Sequence, residues 1–203
     1  MQHIYMESTA ADKPTLLLLH GTGGNERDLL PVADVICPEA ARLGVRGSVL
    51  ENGMPRFFRR LAEGVFDEED LVKRTHELDA FVTESVARYS LDRDRLVAVG
   101  YSNGANIAAS LLYHIPGALK HAILFHAMPP RYGLTLPDLT GVNVFLGAGR
   151  RDSLITPEQT LQLASDLREA GAEVTEFWTD GGHQLSRQEV EEAARWLQVG
   201  LGL

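Results

Sequence analysis

Five residues, Gly100-Tyr101-Ser102-Asn103-Gly104, stand between the apolar run Leu96-Val97-Ala98-Val99 and the segment Asn106-Ile107-Ala108-Ala109-Ser110-Leu111-Leu112. The run has the length of a buried strand and the following segment reads as a helix. The chain must therefore leave a strand, turn on a polar serine and enter a helix within a few residues. A structural turn would more naturally use Asn-Gly or Pro-Gly. Glycines two residues to either side of the serine let strand and helix approach closely. In this context Gly-x-Ser-x-Gly is a nucleophile elbow, a strained turn that lifts Ser Oγ above the sheet edge. It also points the helix N-terminus at developing negative charge. Ser102 is the candidate nucleophile.

Around this turn, short apolar runs alternate with longer helical patterns. The candidate strands are Thr15–Leu19, Val45–Leu50, Arg95–Gly100, Ala122–Phe125, Val142–Leu146 and Val174–Trp178. The alternation predicts an α/β fold, a mostly parallel central sheet flanked by helices on both faces. Three helices carry end signals. Residues 68–89 put Leu71, Leu78, Val82, Val86 and Tyr89 on one stripe behind Asp67 as N-cap. Thr156-Pro157-Glu158-Gln159 is a capping box with proline at the first helical position, and Gly171 closes that helix. Ser186-Arg187-Gln188-Glu189 is a second box, opening the last helix.

The 203 residues show no repeat and no Ser/Gly-rich linker, so one domain spanning 1–203 is expected. With 44% hydrophobic residues, a chain of this size builds a core without staples. Cys37 is the single cysteine, which rules out an intrachain disulfide and favours a reducing compartment. The opening residues MQHIYMESTAADKP lack a basic segment followed by an apolar one, and Leu16–Leu19 is too short to span a bilayer. A cytoplasmic protein without membrane insertion is the expectation. The net charge of −9 argues against nucleic acid or an anionic membrane as the main partner.

A nucleophilic serine needs a base, and the base an orienting acid. In elbow enzymes both follow the serine in the order acid, then histidine, on loops at the carboxyl ends of strands. Val142–Leu146 runs into GAGRRDSLIT, which places Asp152 in such a loop. Val174–Trp178 runs into TDGGHQLS, which places His183 in the next. Asp180 and Asp138 are rival acids, the first better suited to a local turn and the second ahead of its strand. His3, His76, His114 and His121 read as surface or structural residues. His126 follows a strand but precedes Asp152 and breaks the order. After the first core strand, LLLLHGTGGNE supplies a glycine-rich loop. It matches neither the phosphate-loop pattern nor the dinucleotide fingerprint. It suits an oxyanion hole, with the backbone N–H of Thr22 paired with that of Asn103. No metal-ligand spacing is present, so neither a metal nor another cofactor is expected.

These stretches, together with GSVLENGMPRFFRRLAEGVFDEEDL and VAVGYSNGANIAASLL, resemble the α/β-hydrolase superfamily over nearly the whole chain. Within it they are most similar to the small bacterial phospholipase/carboxylesterase branch related to acyl-protein thioesterases, with members associated with hydroquinone and aromatic metabolism. One departure is Asn103, where the thioesterases usually carry Gln. The resemblance implies an α/β-hydrolase fold without a large cap domain. It also implies a serine carboxylesterase acting on a small-molecule ester through an acyl-enzyme on Ser102. Thioesterase or lysophospholipase chemistry, and a non-catalytic homologue that only binds small molecules, remain the alternatives. The oligomeric state stays open, with a homodimer as one candidate because relatives form them. Residues 51–66 form the longest stretch without clear periodicity and are expected to fold over the active-site face. Met54, Phe57 and Phe58 would then wall an apolar pocket for short acyl or compact aromatic groups. Arg56, Arg59 and Arg60 would either bind an anionic group of the substrate or pair with the acidic run Asp67–Asp70.

Overall fold

The computed structural model describes residues 1–201. Along the chain come β1 (His3–Met6), β2 (Thr15–Leu19), α1 (Leu30–Ile36) and β3 (Ala41–Val45). Four short strands follow, β4 (Val49–Glu51), β5 (Met54–Arg56), β6 (Arg60–Ala62) and β7 (Val65–Phe66). Then come α2 (Glu68–Tyr89), β8 (Leu96–Tyr101), α3 (Asn103–His114) and β9 (His121–Phe125). β10 (Asn143–Gly149), α4 (Pro157–Glu169), β11 (Glu173–Thr179) and α5 (Arg187–Leu201) complete the fold.

The central sheet has the order β1-β3-β2-β8-β9-β10-β11, parallel throughout except for the antiparallel edge strand β1. Strands β2, β8, β9 and β10 each serve two hydrophobic clusters. Leu17 and Leu19 of β2 face the cluster built with α2, α3 and α4, whereas Leu16 and Leu18 face the one built with α1 and α5. This is the side-chain alternation of a strand buried on both faces, and it explains why β2 reads as an unbroken leucine run. From β2 the chain steps outward to β3, and from β8 it steps the other way through β9, β10 and β11. The crevice beyond the carboxyl ends of β2 and β8 is therefore a topological switch point, where open α/β sheets bind their ligands.

The helix-end signals behave as the sequence implies. The Asp67 side chain accepts the Asp70 N–H at the start of α2, and Thr156 and Gln159 form a reciprocal capping box at α4. Two sequence expectations are corrected. The third strand is Ala41–Val45 rather than Val45–Leu50, because at Arg46 the chain leaves the sheet for the β4–β5 hairpin. Arg42 and Gly44 disguise this strand. A Cβ at Gly44 would lie 2.0 Å from the Glu26 carbonyl oxygen, so close packing demands glycine there. Residues 51–66 are not a loop but most of two hairpins, β4–β5 and β6–β7. Asn52-Gly53, with φ of 51° and 80°, makes the tight turn of the first, a signal the sequence carried openly. No helix among the described residues is long and apolar enough to cross a membrane.

Candidate active site

Four loops leave the carboxyl edge of the sheet and meet above the switch point. The loop after β8 carries Ser102, at φ 51° and ψ −113°, a conformation that side chains rarely adopt. Its N–H donates to the Phe125 carbonyl at 2.9 Å, which ties the elbow to β9. Gly100 and Gly104 are obligatory. A Cβ on Gly100 would lie 2.6 Å from the Ala105 backbone, and one on Gly104 1.9 Å from the Leu19 carbonyl oxygen.

His183, on the loop after β11, places Nε2 2.9 Å from Ser102 Oγ and Nδ1 2.8 Å from Asp152 Oδ2. Asp152 sits on the loop after β10. Its Oδ1 accepts the N–H groups of Leu154 and Ile155 at 2.8 and 3.0 Å. Burial alone would push this carboxyl up. The Ile155 amide, His183, the Leu154 amide and His126 instead hold it below the usual carboxylate range. The Tyr101 hydroxyl donates to the His183 carbonyl at 2.8 Å and steadies the histidine loop. Ser102, His183 and Asp152 are thus brought together. The rival acids lie elsewhere: Asp180 is exposed near Arg150, and Asp138 accepts from Thr140. His3 and His114 are engaged away from the site, with the Tyr89 hydroxyl and with Ser110.

The glycine-rich loop follows β2. Gly23 N–H donates to Pro55 O and Gly24 N–H to Gly21 O, whereas the Thr22 N–H has no acceptor among the described residues. Asn103 opens α3, where its own N–H has no helical carbonyl one turn back. Both residues line the same cavity as Ser102. His20 anchors this loop. Its Nε2 accepts the Gly47 N–H at 3.0 Å, so Nδ1 carries the hydrogen and donates to Gly21 O at 2.6 Å. Burial lowers its pKa, in keeping with a neutral ring. The Asn103 side chain, unremarked in the sequence reading beyond its departure from Gln, accepts the Phe57 N–H at 2.8 Å and fastens the hairpins to the elbow.

The cavity over Ser102 encloses about 380 Å³. The expected wall residues are corrected here. Phe57 and Phe58 are buried in the core and Met54 is 40% exposed outside, packed near Gly23; none of the three lines the cavity. The apolar wall comes instead from Phe66, Met128, Leu154 and Ile155, with Arg56, Arg60 and Glu63 on the polar side. The arginines divide their work. Arg59 pairs with Asp67 at 2.9 Å, as the acidic-run reading holds, but Arg60 bonds Glu51 at 2.9 Å and Arg56 lies 3.7 Å from the same carboxylate. Arg56 also donates to Thr22 Oγ1 at 2.6 Å and to Phe58 O at 3.2 Å, which braces the glycine-rich loop against the hairpins.

Residues 52–195 match the Dienelactone hydrolase family. A Bacillus subtilis protein named as a hydrolase, MhqD, is 57% identical over 201 residues, covering 99% of this chain and all of that protein. Among solved structures, a carboxylesterase from Bacillus cereus superposes with a TM-score of 0.97 at 54% identity, over 98% of this chain and 94% of that one. A structure of YahD with malic acid gives 0.92 at 30% identity, over 98% of each chain.

Proposed function

The chain belongs to the dienelactone hydrolase family within the α/β-hydrolase superfamily, and on that premise we propose that it is a serine carboxylesterase working through an acyl-enzyme on Ser102. The observation that carries the reading is the linear relay from Ser102 Oγ through His183 to Asp152, at 2.9 and 2.8 Å, opening on one cavity. His183 takes the serine proton as Oγ attacks the ester carbonyl. The alkoxide so formed points at the Thr22 and Asn103 amides. Collapse expels the alcohol, which receives the proton from His183. Water then repeats the cycle on the acyl-enzyme and releases the acid. Asp152 keeps the proton on the far nitrogen of His183 and stabilises the imidazolium without itself being protonated. Water is the only co-reactant.

Support for a small substrate comes from the cavity, whose volume of about 380 Å³ is near the lower end for small-molecule sites. Its mixed lining suits a compact acyl or aromatic group with polar substituents better than a lipid chain. The reading is tested by titration with a serine-directed phosphonate. One equivalent should label Ser102 and stop turnover of a chromogenic ester. Ser102→Ala should lower turnover by about 10⁶ while leaving the fold intact. A Ser102→Ala variant keeping more than a small fraction of activity would overturn the assignment. An unmodified protein that takes up the phosphonate but hydrolyses no ester would favour a binding role.

A further inference from the structure

Asp152 has a second imidazole partner that the relay does not use. His126, at the end of β9, is fully buried, and its Nδ1 lies 2.9 Å from Asp152 Oδ2, the same oxygen that His183 approaches. On its other side Nε2 lies 3.1 Å from Glu189 Oε1, on α5. Both carboxylates are buried, with the Glu189 side chain inaccessible and that of Asp152 1% exposed. Glu189 Oε2 is occupied by the Ser186 N–H and hydroxyl at 2.8 and 2.6 Å, so Oε1 is left to face the ring. His126 is held there in a left-handed backbone conformation, φ 54°, with its N–H on the Gly147 carbonyl. Strain of this kind persists only where the surroundings over-determine it.

We propose that His126, carried as an imidazolium between Asp152 and Glu189, is a positioning residue that fixes the Asp152 carboxylate and tempers its hold on His183. The proton count supports this. An ionised Asp152 can only accept, so His126 Nδ1 bears a hydrogen. His126 Nε2 and Glu189 Oε1 are both buried and form no aligned hydrogen bond with any partner among the described residues, so at 3.1 Å a hydrogen on Nε2 removes the lone-pair repulsion that a bare ring nitrogen would meet there. Burial works against charge on the ring, but Glu189 and then Asp152 outweigh it and raise its pKa. Burial likewise opposes charge on Glu189, but His126 and Ser186 hold that carboxyl below its ordinary value. The other groups facing the ring are His183 and Tyr101, with ring centres 5.2 and 5.8 Å away. A cation on Asp152 Oδ2 competes with His183 for that oxygen, so removing the cation tightens the hold of Asp152 on the His183 ring.

The inference rests on the triad reading above. Its test combines kinetics on Glu189→Gln and His126→Asn with ¹⁵N NMR of the unmodified protein. Asn suits the left-handed backbone and can keep a donor toward Asp152. In both variants the acidic limb of the kcat/KM–pH profile should move upward by on the order of one unit. KM should stay near that of the parent, because neither residue lines the cavity. At neutral pH the His126 ring should give ¹⁵N shifts of an imidazolium. Profiles superimposing on the parent's, in variants that merely melt earlier, would overturn the inference. So would a neutral His126 tautomer in the spectrum, which decides the matter even if a variant fails to fold. Because the ring's charge is read without turnover, this failure is separable from a Ser102→Ala variant that stays active.

Discussion

Ser102 and Asp152 show how far a residue's chemistry depends on what is held around it. An Asp152→Asn change should preserve the shape of the relay while favouring the wrong His183 tautomer, at a loss of about 10⁴ in turnover. Asp180→Asn should have little effect, since Asp180 is exposed and holds no part of the relay. Steady-state kinetics on the pair would expose a misassigned acid through the reverse ranking. The depressed Asp152 pKa also carries a sign for stability. Its contribution is in place above the ordinary aspartate range near pH 3.9 and is lost as pH falls through the lower folded value. Phe57 and Phe58 make the opposite point, since side chains that read as pocket walls are core. Truncating either to Ala should destabilise the fold by about 3–5 kcal/mol, measured by denaturant unfolding. The acyl-length profile of the surviving enzyme should barely move. A clear shift toward longer chains without loss of stability would put these rings back in the pocket.

At the level of elements, the site depends on how closely α3 crosses β2. Gly104 lies on the first turn of α3, where an added Cβ would meet the carbonyl group of Leu19. Backbone on both sides cannot yield as a flexible side chain could. Gly104→Ala should therefore push the elbow away from the glycine-rich loop after β2, and a misplacement on the order of 1 Å costs about 10²-fold in rate. Stability should fall as well, by about 1–3 kcal/mol. Turnover measured beside melting temperature checks this, and a variant with normal kinetics would show that the close approach is not needed. The hairpins β4–β5 and β6–β7 are the cover that replaces a cap domain. Their attachment is polar rather than apolar at the site itself, through Arg56 to Thr22 and through the Phe57 amide to Asn103.

For the molecule as a whole, a cavity of about 380 Å³ under two short hairpins limits what can be turned over. Each further methylene adds about 0.8 kcal/mol only while it can be buried. Rates on a series of chromogenic esters should peak at short acyl lengths or compact aromatic acids and then fall. Rates still climbing at fatty-acyl lengths would refute the size argument. Much of this architecture was legible in the chain. The strand–elbow–helix junction, the order of Ser102, Asp152 and His183, the capping boxes and the buried leucine strand are all local patterns. Each arises from forces acting over a few residues: backbone strain, hydrogen-bond capping and the alternation of side chains. Other features needed the folded molecule. Strand β3 hides behind Arg42 and Gly44, whose places are set by Asp34 and the Glu26 carbonyl. Which faces of residues 51–66 turn inward depends on Asn103, Thr22 and Glu51, not on any period within the segment. The meeting of His126 with Asp152 and Glu189 joins three separate elements. Such contacts come from packing helices on a sheet, where distance along the chain carries no information about distance in space.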